Sequence, residues 1–345
     1  MEYRTLPPAN RCRYEFVGEG AANIVFKIIV DQKDEGDDES TKFQGYLLRV
    51  PKAGTAAYPH EQLQEYWETV IRPLFPNEND LVQQALVRLG ADETIDRLND
   101  VLAKADDRRR KDFQGSRVAH VEVGMLVQDM DKQSPTDTTF EFKPKWLAQS
   151  PNAPPGTSIR CRNCARKAQQ QHQKHSSSSS SPSPSDLFCP LNLVHPSSSP
   201  SSETITALLP PSSSSIPSPQ IQALKTWLST NTLLPRLQSL QTSLDKSGPL
   251  AAHLTPQVPD ENLQLAMTLR DCSVFVRIST STTTGGEYKV EARLADLDKK
   301  NWAAKLGYWR DTERDLVVGG FYEGLERPRV ETRCLLEWER ERVAN

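Results

Sequence analysis

Residues 270–298 of this chain are RDCSVFVRISTSTTTGGEYKVEARLADLD, and this stretch decides the fold of the second half. Two β-rich runs, 273–279 and 288–294, flank a turn rich in threonine and glycine, a pattern that predicts a β-hairpin. Asp271 precedes the first run and Asp296 follows the second, so the two carboxylates can meet at one point. One of them can take a proton from a hydroxyl nucleophile while the other holds Mg²⁺ on nucleotide phosphates. The alternative is that each aspartate only caps a turn.

The first 145 residues contain a second set of short β-rich runs. They lie at 14–17, 23–30, 45–50, 120–127 and 138–142. Between the third and the fourth, apolar residues from Leu63 to Leu74 recur at steps of three and four, which predicts a helix that Pro73 and Pro76 close. The pattern indicates an antiparallel sheet packed against helices, which is an α+β fold.

Residues 18–23, GEGAAN, form a glycine-rich turn between two of these runs. Small residues there let backbone N–H groups approach phosphate oxygens, although a tight turn alone would also explain them. The segment is not a Walker A loop, because no Lys-Ser or Lys-Thr pair follows its last glycine. Arg49, on a later run, occupies the place where nucleotide kinases carry a phosphate-pairing cation; the alternative is a solvated arginine.

Residues 141–145, EFKPK, alternate charge along a predicted strand. A period of two places Glu141, Lys143 and Lys145 on one face of that strand. Three charges on an interior strand are costly unless they bind a ligand, whereas at an exposed edge they are ordinary surface residues. The segment is therefore a candidate anion-binding site.

The composition changes abruptly between residues 174 and 219, where a run of six serines is followed by repeated Ser-Pro pairs. Such sequence has too little apolar surface to offset the entropy cost of ordering it, so we expect a disordered insert with mobile serine tracts. One island, LFCPLNL at 187–193, is apolar enough to dock on the folded part. Beyond the insert, leucines over 221–244 predict helix with a break or kink at Pro235. Closing helices are predicted at 303–318 and 335–343.

Charge and cysteine content restrict the class of protein. The 345 residues include 42 Lys and Arg against 45 Asp and Glu, a net charge of −3, which excludes a histone-like or wholly basic nucleic-acid binder. Any anion must be held by a local cluster of basic residues. The first 20 residues lack the apolar stretch of a signal peptide, and six cysteines are sparse for this length. We therefore expect reduced thiols and a nuclear or cytoplasmic location.

Cys161 and Cys164 are followed by His172 and His175, and four nitrogen and sulfur ligands suit tetrahedral zinc. The gap between the two pairs is shorter than the roughly 12 residues of a C₂H₂ finger. We therefore do not expect zinc from this set, and a zinc-dependent nucleic-acid module ranks last among the functions considered. Cys189 and Cys272 are expected to be buried thiols.

Six motifs occur in a distinctive order along the chain. They are GEGAAN at 18–23, EFKPK at 141–145, RNC at 162–164, FCPLNL at 188–193, RDCS at 270–273 and DLD at 296–298. In this order they resemble the inositol-pentakisphosphate 2-kinases, and the chain is similar to a fungal member of that family from about residue 14 to 322. The resemblance implies a two-lobed, protein-kinase-related fold. Its N-lobe, 1–130, would bind ATP, and its C-lobe, 131–345, would bind inositol phosphate and carry out catalysis.

The resemblance also implies an activity and the residues for it. The enzyme would use ATP and Mg²⁺ to phosphorylate the 2-hydroxyl of inositol 1,3,4,5,6-pentakisphosphate, making inositol hexakisphosphate (phytate). Asp271 would be the base for that hydroxyl, and Asp296 would coordinate Mg²⁺. Residues implied to contact ATP are Gly18, Gly20, Ala22, Asn23, Arg49 and, at a hinge over 127–129, Asp129. Residues implied to contact the inositol phosphate are Lys143, Lys145, Arg162, Lys300, Lys305 and Tyr308.

The chain departs from the family pattern in two places. The family usually has a Lys-Pro pair after Asp-Leu-x-Leu, whereas residues 296–301 are DLDKKN, with alanine at 304 and Lys305 as the available substitute. The family's Asn-Gly segment has no clean match. These departures, with a Ser-Pro-rich insert suited to phosphorylation, leave an alternative: a catalytically weak polyphosphate-binding or scaffold protein of the same fold. We expect a monomer with neither a membrane nor a nucleic-acid partner.

Overall fold

The computed structural model describes residues 2–30, 41–90, 92–175, 188–195, 202–209, 216, 218–280 and 288–344. They form two compact units, Met1–Asp131 and Lys132–Asn345. Each unit contains its own β-sheet. The mixture of helices and strands confirms the predicted α+β class.

The strands of the first unit are β1 Tyr3–Thr5, β2 Cys12–Glu19, β3 Asn23–Val30, β4 Tyr46–Pro51, β5 Gln84–Arg88 and β6 Val123–Gln128. They form one sheet in the order β1-β5-β6-β4-β3-β2. The predicted strands of this sheet, β2, β3, β4 and β6, pair antiparallel as expected, whereas β1 and β5, which were not predicted, pair in parallel. The run at 138–142 is a strand, but it belongs to the other unit. β1 has only three residues, too few to show the alternation from which a strand is predicted.

The core of the first unit follows the apolar alternation of its strands. Ile24 and Phe26 of β3, with Leu48 and Val50 of β4, are completely buried, as a period of two requires when one face covers a core. In β2 the pairing with β3 shifts between Phe16 and Gly18. A bulge of this kind increases the local twist of the strand directly before the glycine-rich turn.

Two helices complete the first unit. α1, His60–Tyr66, continues through a π-helical turn, Trp67–Ile71, and a 3₁₀ turn, Arg72–Leu74, which confirms the helix predicted up to Pro73. α2, Asp92–Ala105, is absent from the prediction, although its buried residues recur at helical spacing. These residues are Thr94, Ile95, Leu98, Leu102 and Ala105.

The second unit contains a three-stranded antiparallel sheet. Its strands are β7 Thr138–Phe142, β8 Ser273–Thr280 and β9 Tyr288–Ala295, in the order β7-β8-β9. The predicted hairpin is confirmed, with Ser273 paired to Ala295, and Phe142 of β7 pairs with Val274. Because the neighbours are antiparallel, the end of β7, the start of β8 and the end of β9 share one edge of the sheet.

The helices of the second unit are α3 Arg162–His175, α4 Ser202–Leu208, α5 Ser218–Thr230, α6 Leu233–Leu244, α7 Glu261–Leu269, α8 Trp302–Val318 and α9 Leu335–Ala344. The two predicted closing helices are confirmed as α8 and α9. The predicted break at Pro235 is wrong in position: α5 ends at Thr230, and Pro235 lies in the first turn of α6. There a proline costs little, because first-turn N–H groups have no acceptor within the helix. No helix in the described parts of the chain is long and apolar enough to cross a bilayer.

Within the insert at 174–219, a helix, α4, corrects the prediction that the sequence flanking the docked island is disordered. Residues 188–195 dock as predicted, with Cys189, Leu191 and Leu193 buried. α4 also lies within the insert, and its Thr204, Ile205 and Leu208 are buried. Of the flanking tracts predicted to be mobile, 176–186, 196–201 and 210–215 lie outside the described residues, as does Leu187 of the island.

Candidate active site

Five charged residues of the second unit lie at the shared edge of its sheet. Lys143 and Lys145 follow β7, Asp271 precedes β8, and Asp296 and Lys300 follow β9. We call these five residues the lysine–aspartate cluster. All of them were predicted as site residues, and three lysines against two aspartates leave the cluster with one net positive charge.

The ammonium groups pair with the two aspartates, and Lys143 contacts both of these residues. Lys143 Nζ lies 3.0 Å from Asp296 Oδ2 and donates to the backbone carbonyl of Asp271 at 2.9 Å. On the side chain of Asp271, Oδ1 lies 3.2 Å from Lys145 Nζ and Oδ2 lies 2.8 Å from Lys300 Nζ. The prediction that the ends of the hairpin bring the two aspartates to one point is therefore confirmed.

The lysines hold Asp271 ionised. Burial raises the pKa of its carboxyl, but the charges and hydrogen bonds of Lys300, followed by the charges of Lys145 and Lys143, outweigh burial and lower the pKa to about 2. For Lys143, burial lowers the pKa, and Asp296 more than compensates, so the pKa lies above its ordinary value. Asp271 is therefore a carboxylate at any physiological pH, with half of its side chain exposed to solvent.

Backbone conformation is unusual at the same place. Among the described residues other than glycine, Lys145 and Asp296 have positive φ angles, of 55° and 60°. Such residues are uncommon in the left-handed region, and strained backbone concentrates at functional sites. Lys145 therefore does not continue the alternation of β7. Glu141 stays close to Lys143, because its negative charge helps to raise the pKa of that lysine, and its carboxylate accepts a hydrogen bond from Ser273 Oγ. Tertiary contacts, rather than the period of two, bring Lys143 and Lys145 together.

A buried network next to the cluster was not predicted. Trp146, the residue after Lys145, lies under two guanidinium groups, with Arg270 at 3.5 Å and Arg162 at 4.3 Å from its ring centre. Arg270 pairs with Asp245 at 2.5 Å. Both guanidinium groups are almost completely buried. The network holds the segment directly after Lys145, and its members are far apart in sequence.

Glu313 of α8 connects Arg162 of this network to two further residues. Its side chain is fully buried, with Oε2 2.7 Å from Arg162 Nε. Its other oxygen accepts hydrogen bonds from Tyr322 Oη and Ser150 Oγ, both at 2.6 Å. A buried carboxylate with three partners is fully satisfied, as a buried charge must be. Arg162, implied by the resemblance to contact substrate phosphate, is thus placed in a buried ion pair, and its role in binding stays a prediction.

Lys305 and Tyr308 lie on α8, shortly after the cluster. They are three residues apart and exposed, whereas Trp302, Leu306 and Trp309 are buried on the other side of the helix. The exposed fraction of Tyr308 is 59%, which is high for a tyrosine. Both side chains are available to a ligand, and their contact with substrate stays a prediction.

In the first unit, the glycine-rich turn connects β2 and β3 as predicted. Gly18 and Gly20 do not have positive φ angles, and a Cβ atom at either one would meet nothing within 4 Å. Neither a left-handed backbone conformation nor close packing therefore requires glycine at these two positions. The absence of side chains leaves the backbone N–H groups open to the close approach of a phosphate group. Ala22 and Asn23 follow in the same turn, and Asn23 Oδ1 lies 3.4 Å from His60 Nε2.

Glu19, between the two glycines, forms ion pairs with two basic residues. Glu19 Oε2 lies 2.6 Å from Lys52 Nζ, and Glu19 Oε1 lies 2.6 Å from Arg109 Nε. Burial raises the pKa of Glu19, but the hydrogen bonds from Arg109 and Lys52 outweigh it and lower the pKa below its ordinary value. Only the glycines beside Glu19 were predicted from sequence. The two cations lie 33 and 90 positions away along the chain, and no local pattern connects them.

The other two residues predicted to contact ATP lie on neighbouring parts of the sheet. Arg49 is on β4, opposite Val25 and Met125, and its Nη1 lies 3.9 Å from Met125 Sδ. Asp129 follows β6, and its Oδ1 accepts a hydrogen bond from the N–H of Asp131. The chain passes into the second unit directly after Asp131. The contacts of Arg49 and Asp129 with ATP stay predictions.

In the structure, the neighbours of Cys161 and Cys164 are two other cysteines. Cys161 and Cys164 lie beside Cys189 and Cys334, all four buried. His172 is directed elsewhere, with Nε2 3.0 Å from the carbonyl oxygen of Arg327. Cys189 and Cys272 are buried, as predicted, and burial raises the pKa of Cys272 to about 12.

Three lysines around two carboxylates, on strained backbone at one sheet edge, define a site suited to a multiply phosphorylated ligand. The family model for inositol-pentakisphosphate 2-kinase matches residues 16–315, and the chain therefore belongs to that family. It is also 31% identical, over 198 residues, to an inositol-pentakisphosphate 2-kinase of Yarrowia lipolytica (strain CLIB 122 / E 150). That match covers 57% of this chain and 56% of the length of the relative. The resemblance drawn from the motifs is confirmed.

Proposed function

We propose that the protein is an ATP-dependent kinase that phosphorylates the 2-hydroxyl of inositol 1,3,4,5,6-pentakisphosphate, forming inositol hexakisphosphate and ADP. The lysine–aspartate cluster carries the proposal, because it combines an ionised carboxylate with three cations in a chain of this family. A kinase needs a carboxylate at the hydroxyl and cations on the phosphates, and the cluster offers both within about 3 Å of each other. We also propose that the two units are the N- and C-lobes of a kinase-related fold.

The lysines would bind the phosphate groups of the inositol ring. Lys143, Lys145 and Lys300 are partly exposed and pair with the two aspartates. Ion pairs of exposed side chains contribute little energy, so a substrate with five phosphates can displace the carboxylates as partners of the lysines. The exposed Lys305 and Tyr308 would add contacts from α8.

Asp271 would orient the 2-hydroxyl and accept its proton. In the reaction the hydroxyl O–H bond breaks, its oxygen bonds to the γ-phosphorus, and the bond from that phosphorus to the β–γ bridging oxygen breaks to release ADP. A carboxylate with a pKa of about 2 is a weak base. Substrate phosphates that draw Lys145 and Lys300 away would raise that pKa, so binding itself would make Asp271 a better proton acceptor.

The cluster also fits a magnesium ion. Mg²⁺ usually takes one or two carboxylates and completes its octahedron with water and phosphate oxygens. Asp296 offers one carboxylate whose side chain is 51% exposed. Mg²⁺ at Asp296 would neutralise charge on the ATP phosphates during transfer.

ATP would bind to the first unit. The open backbone of Gly18 and Gly20, with Ala22 and Asn23, would approach the phosphate oxygens, and Arg49 would pair with them. The ionised Glu19 is neutralised by Lys52 and Arg109, so the turn itself does not repel a nucleotide. Asp129 would contact the ribose near the hinge.

The test is to incubate the purified protein with ATP, Mg²⁺ and inositol 1,3,4,5,6-pentakisphosphate and to separate the products by ion-exchange chromatography. We expect inositol hexakisphosphate from the wild type and none above background from Asp271→Asn. Asp311→Asn is a matched control, because Asp311 is an exposed carboxylate of α8 that pairs with Arg314 at 2.9 Å. Binding of pentakisphosphate and ATP without product would instead support the binding-protein alternative.

A further inference from the structure

Four cysteines from three distant segments meet in the second unit. Cys161 directly precedes α3, Cys164 lies in its first turn, Cys189 belongs to the docked segment 188–195, and Cys334 directly precedes α9. None is more than 3% exposed, and none forms a disulfide. We call them the four-cysteine cluster.

The sulfur positions fit one tetrahedral metal ion. The four Sγ atoms lie within 4.8 Å of one another. Two of the distances are 3.8 Å, from Cys161 to Cys189, and 4.0 Å, from Cys189 to Cys334. A zinc–sulfur bond of about 2.3 Å makes the edge of an ideal tetrahedron about 3.8 Å. A disulfide, in contrast, requires a sulfur–sulfur distance of about 2.05 Å.

A hydrogen-bond donor and a helix N-terminus lie beside the sulfur atoms. The backbone N–H of Cys161 donates to Cys334 Sγ at 3.1 Å, and Cys161 and Cys164 lie at the N-terminus of α3, where the helix dipole stabilises negative charge. Four thiolates on Zn²⁺ carry two net negative charges. The ammonium group of Lys167, one turn further along α3, lies 3.0 Å from the carbonyl oxygen of Phe188, beside Cys189. Donors and a nearby cation of this kind support a metal site from its second layer of contacts.

We propose that Cys161, Cys164, Cys189 and Cys334 bind one Zn²⁺ ion as a structural site. Four cysteines complete the tetrahedron, so no position remains for water or substrate, as expected of a structural rather than a catalytic zinc site. These four ligands differ from the set Cys161, Cys164, His172 and His175, from which zinc was not expected because the gap between the two pairs is short.

The zinc ion would connect the docked segment and the start of α9 to the start of α3. The segment 188–195 has eight residues, and the structure does not describe the residues directly before and after it. It buries few apolar side chains. A metal can replace the hydrophobic core that so short a segment lacks. It would also fix the residue after Cys161, which is Arg162, the partner of Glu313 in the buried network.

Metal content of the full-length protein tests the proposal independently of kinase activity. We expect about one zinc per chain, by plasma mass spectrometry, after purification and dialysis without chelator. A mercurial that modifies thiols should release that zinc to a colorimetric chelator. The variants Cys164→Ser and Cys334→Ser should each lose most of it. Cys12→Ser is the matched control, because Cys12 is equally buried but lies in the first unit.

A second measurement keeps the test valid if the variants fail to fold. Wild-type protein exchanged with Co²⁺ should show the intense visible bands of tetrahedral thiolate coordination. Metal-free wild-type protein that takes up neither ion would overturn the proposal, and so would a disulfide among the four found by mass spectrometry. Zinc that persists equally in Cys164→Ser, Cys334→Ser and Cys12→Ser would also overturn it.

Discussion

Replacing Asp271 with asparagine should change turnover and inositol phosphate binding in opposite directions. Asparagine keeps the shape of the side chain but cannot accept the proton of the hydroxyl. Loss of a positioned general base typically lowers kcat by about 100- to 10,000-fold. Removing one negative charge also raises the net charge of the lysine–aspartate cluster from one to two, so the pentakisphosphate should bind more tightly.

The gain in binding follows from the geometry. Asp271 lies 3.2 Å from Lys145 Nζ and 2.8 Å from Lys300 Nζ, so a phosphate held by either lysine would lie about 5 Å from the carboxylate. Two unit negative charges at about 5 Å repel by about 0.8 kcal/mol in a water-like dielectric. That value suits a half-exposed side chain and corresponds to a Kd about fourfold lower for the variant.

Calorimetry without ATP measures the affinity of both proteins for the pentakisphosphate, and a product assay with ATP measures kcat. The increase in affinity should shrink at high salt, because screening weakens charge repulsion in exposed sites. Near wild-type kcat in Asp271→Asn would refute the role of Asp271 as base. Weaker binding of the pentakisphosphate by the variant would refute the inference that the Asp271 carboxylate competes with substrate phosphates for the lysines. Asp311→Asn should change neither quantity.

Three further predictions concern the same unit. Lys143→Ala should raise the KM for pentakisphosphate more than the KM for ATP, and equal changes in steady-state kinetics would argue against substrate contact. Glu313→Gln should lower the free energy of unfolding in urea by about 3 kcal/mol, because it leaves the buried charge of Arg162 unpaired; Glu93→Gln, at an exposed pair, should cost less than about 1 kcal/mol. The folded pKa of Asp271, about 2, lies below its ordinary 3.8, so its contribution to stability is complete above about pH 4 and is lost as pH falls through 2. The free energy of unfolding in urea should therefore fall more between pH 4 and pH 3 for the wild type than for Asp271→Asn. Equal decreases in the two proteins would contradict the shift in pKa.

The sequence alone predicted the elements that rest on local patterns. The hairpin of β8 and β9, the strands β2 to β4 and the helices α8 and α9 follow from apolar periodicity and turn residues that are close together along the chain. The same local information placed Asp271 and Asp296 at the ends of the hairpin, where antiparallel pairing brings them together. The order of six short motifs then indicated the family.

Short or isolated elements escaped prediction for a physical reason. β1 has three residues, and α4 lies in serine-rich sequence and has seven residues, of which Ile205 and Leu208 are buried apolar ones. Such segments are stabilised by the surfaces they pack against rather than by their own propensity. Local composition therefore underestimates the order of the insert.

Only the tertiary structure decided which distant residues become partners. Arg162 and Glu313 are separated by 151 positions, and Cys189 and Cys334 by 145, yet each pair is in contact inside the second unit. Local patterns carry no information about such pairs, because burial selects partners by position in space: a buried charge requires a counter-charge, and a buried group of thiols can share a metal. The sequence determined the residue types that perform phosphate chemistry, and folding determined which of them meet.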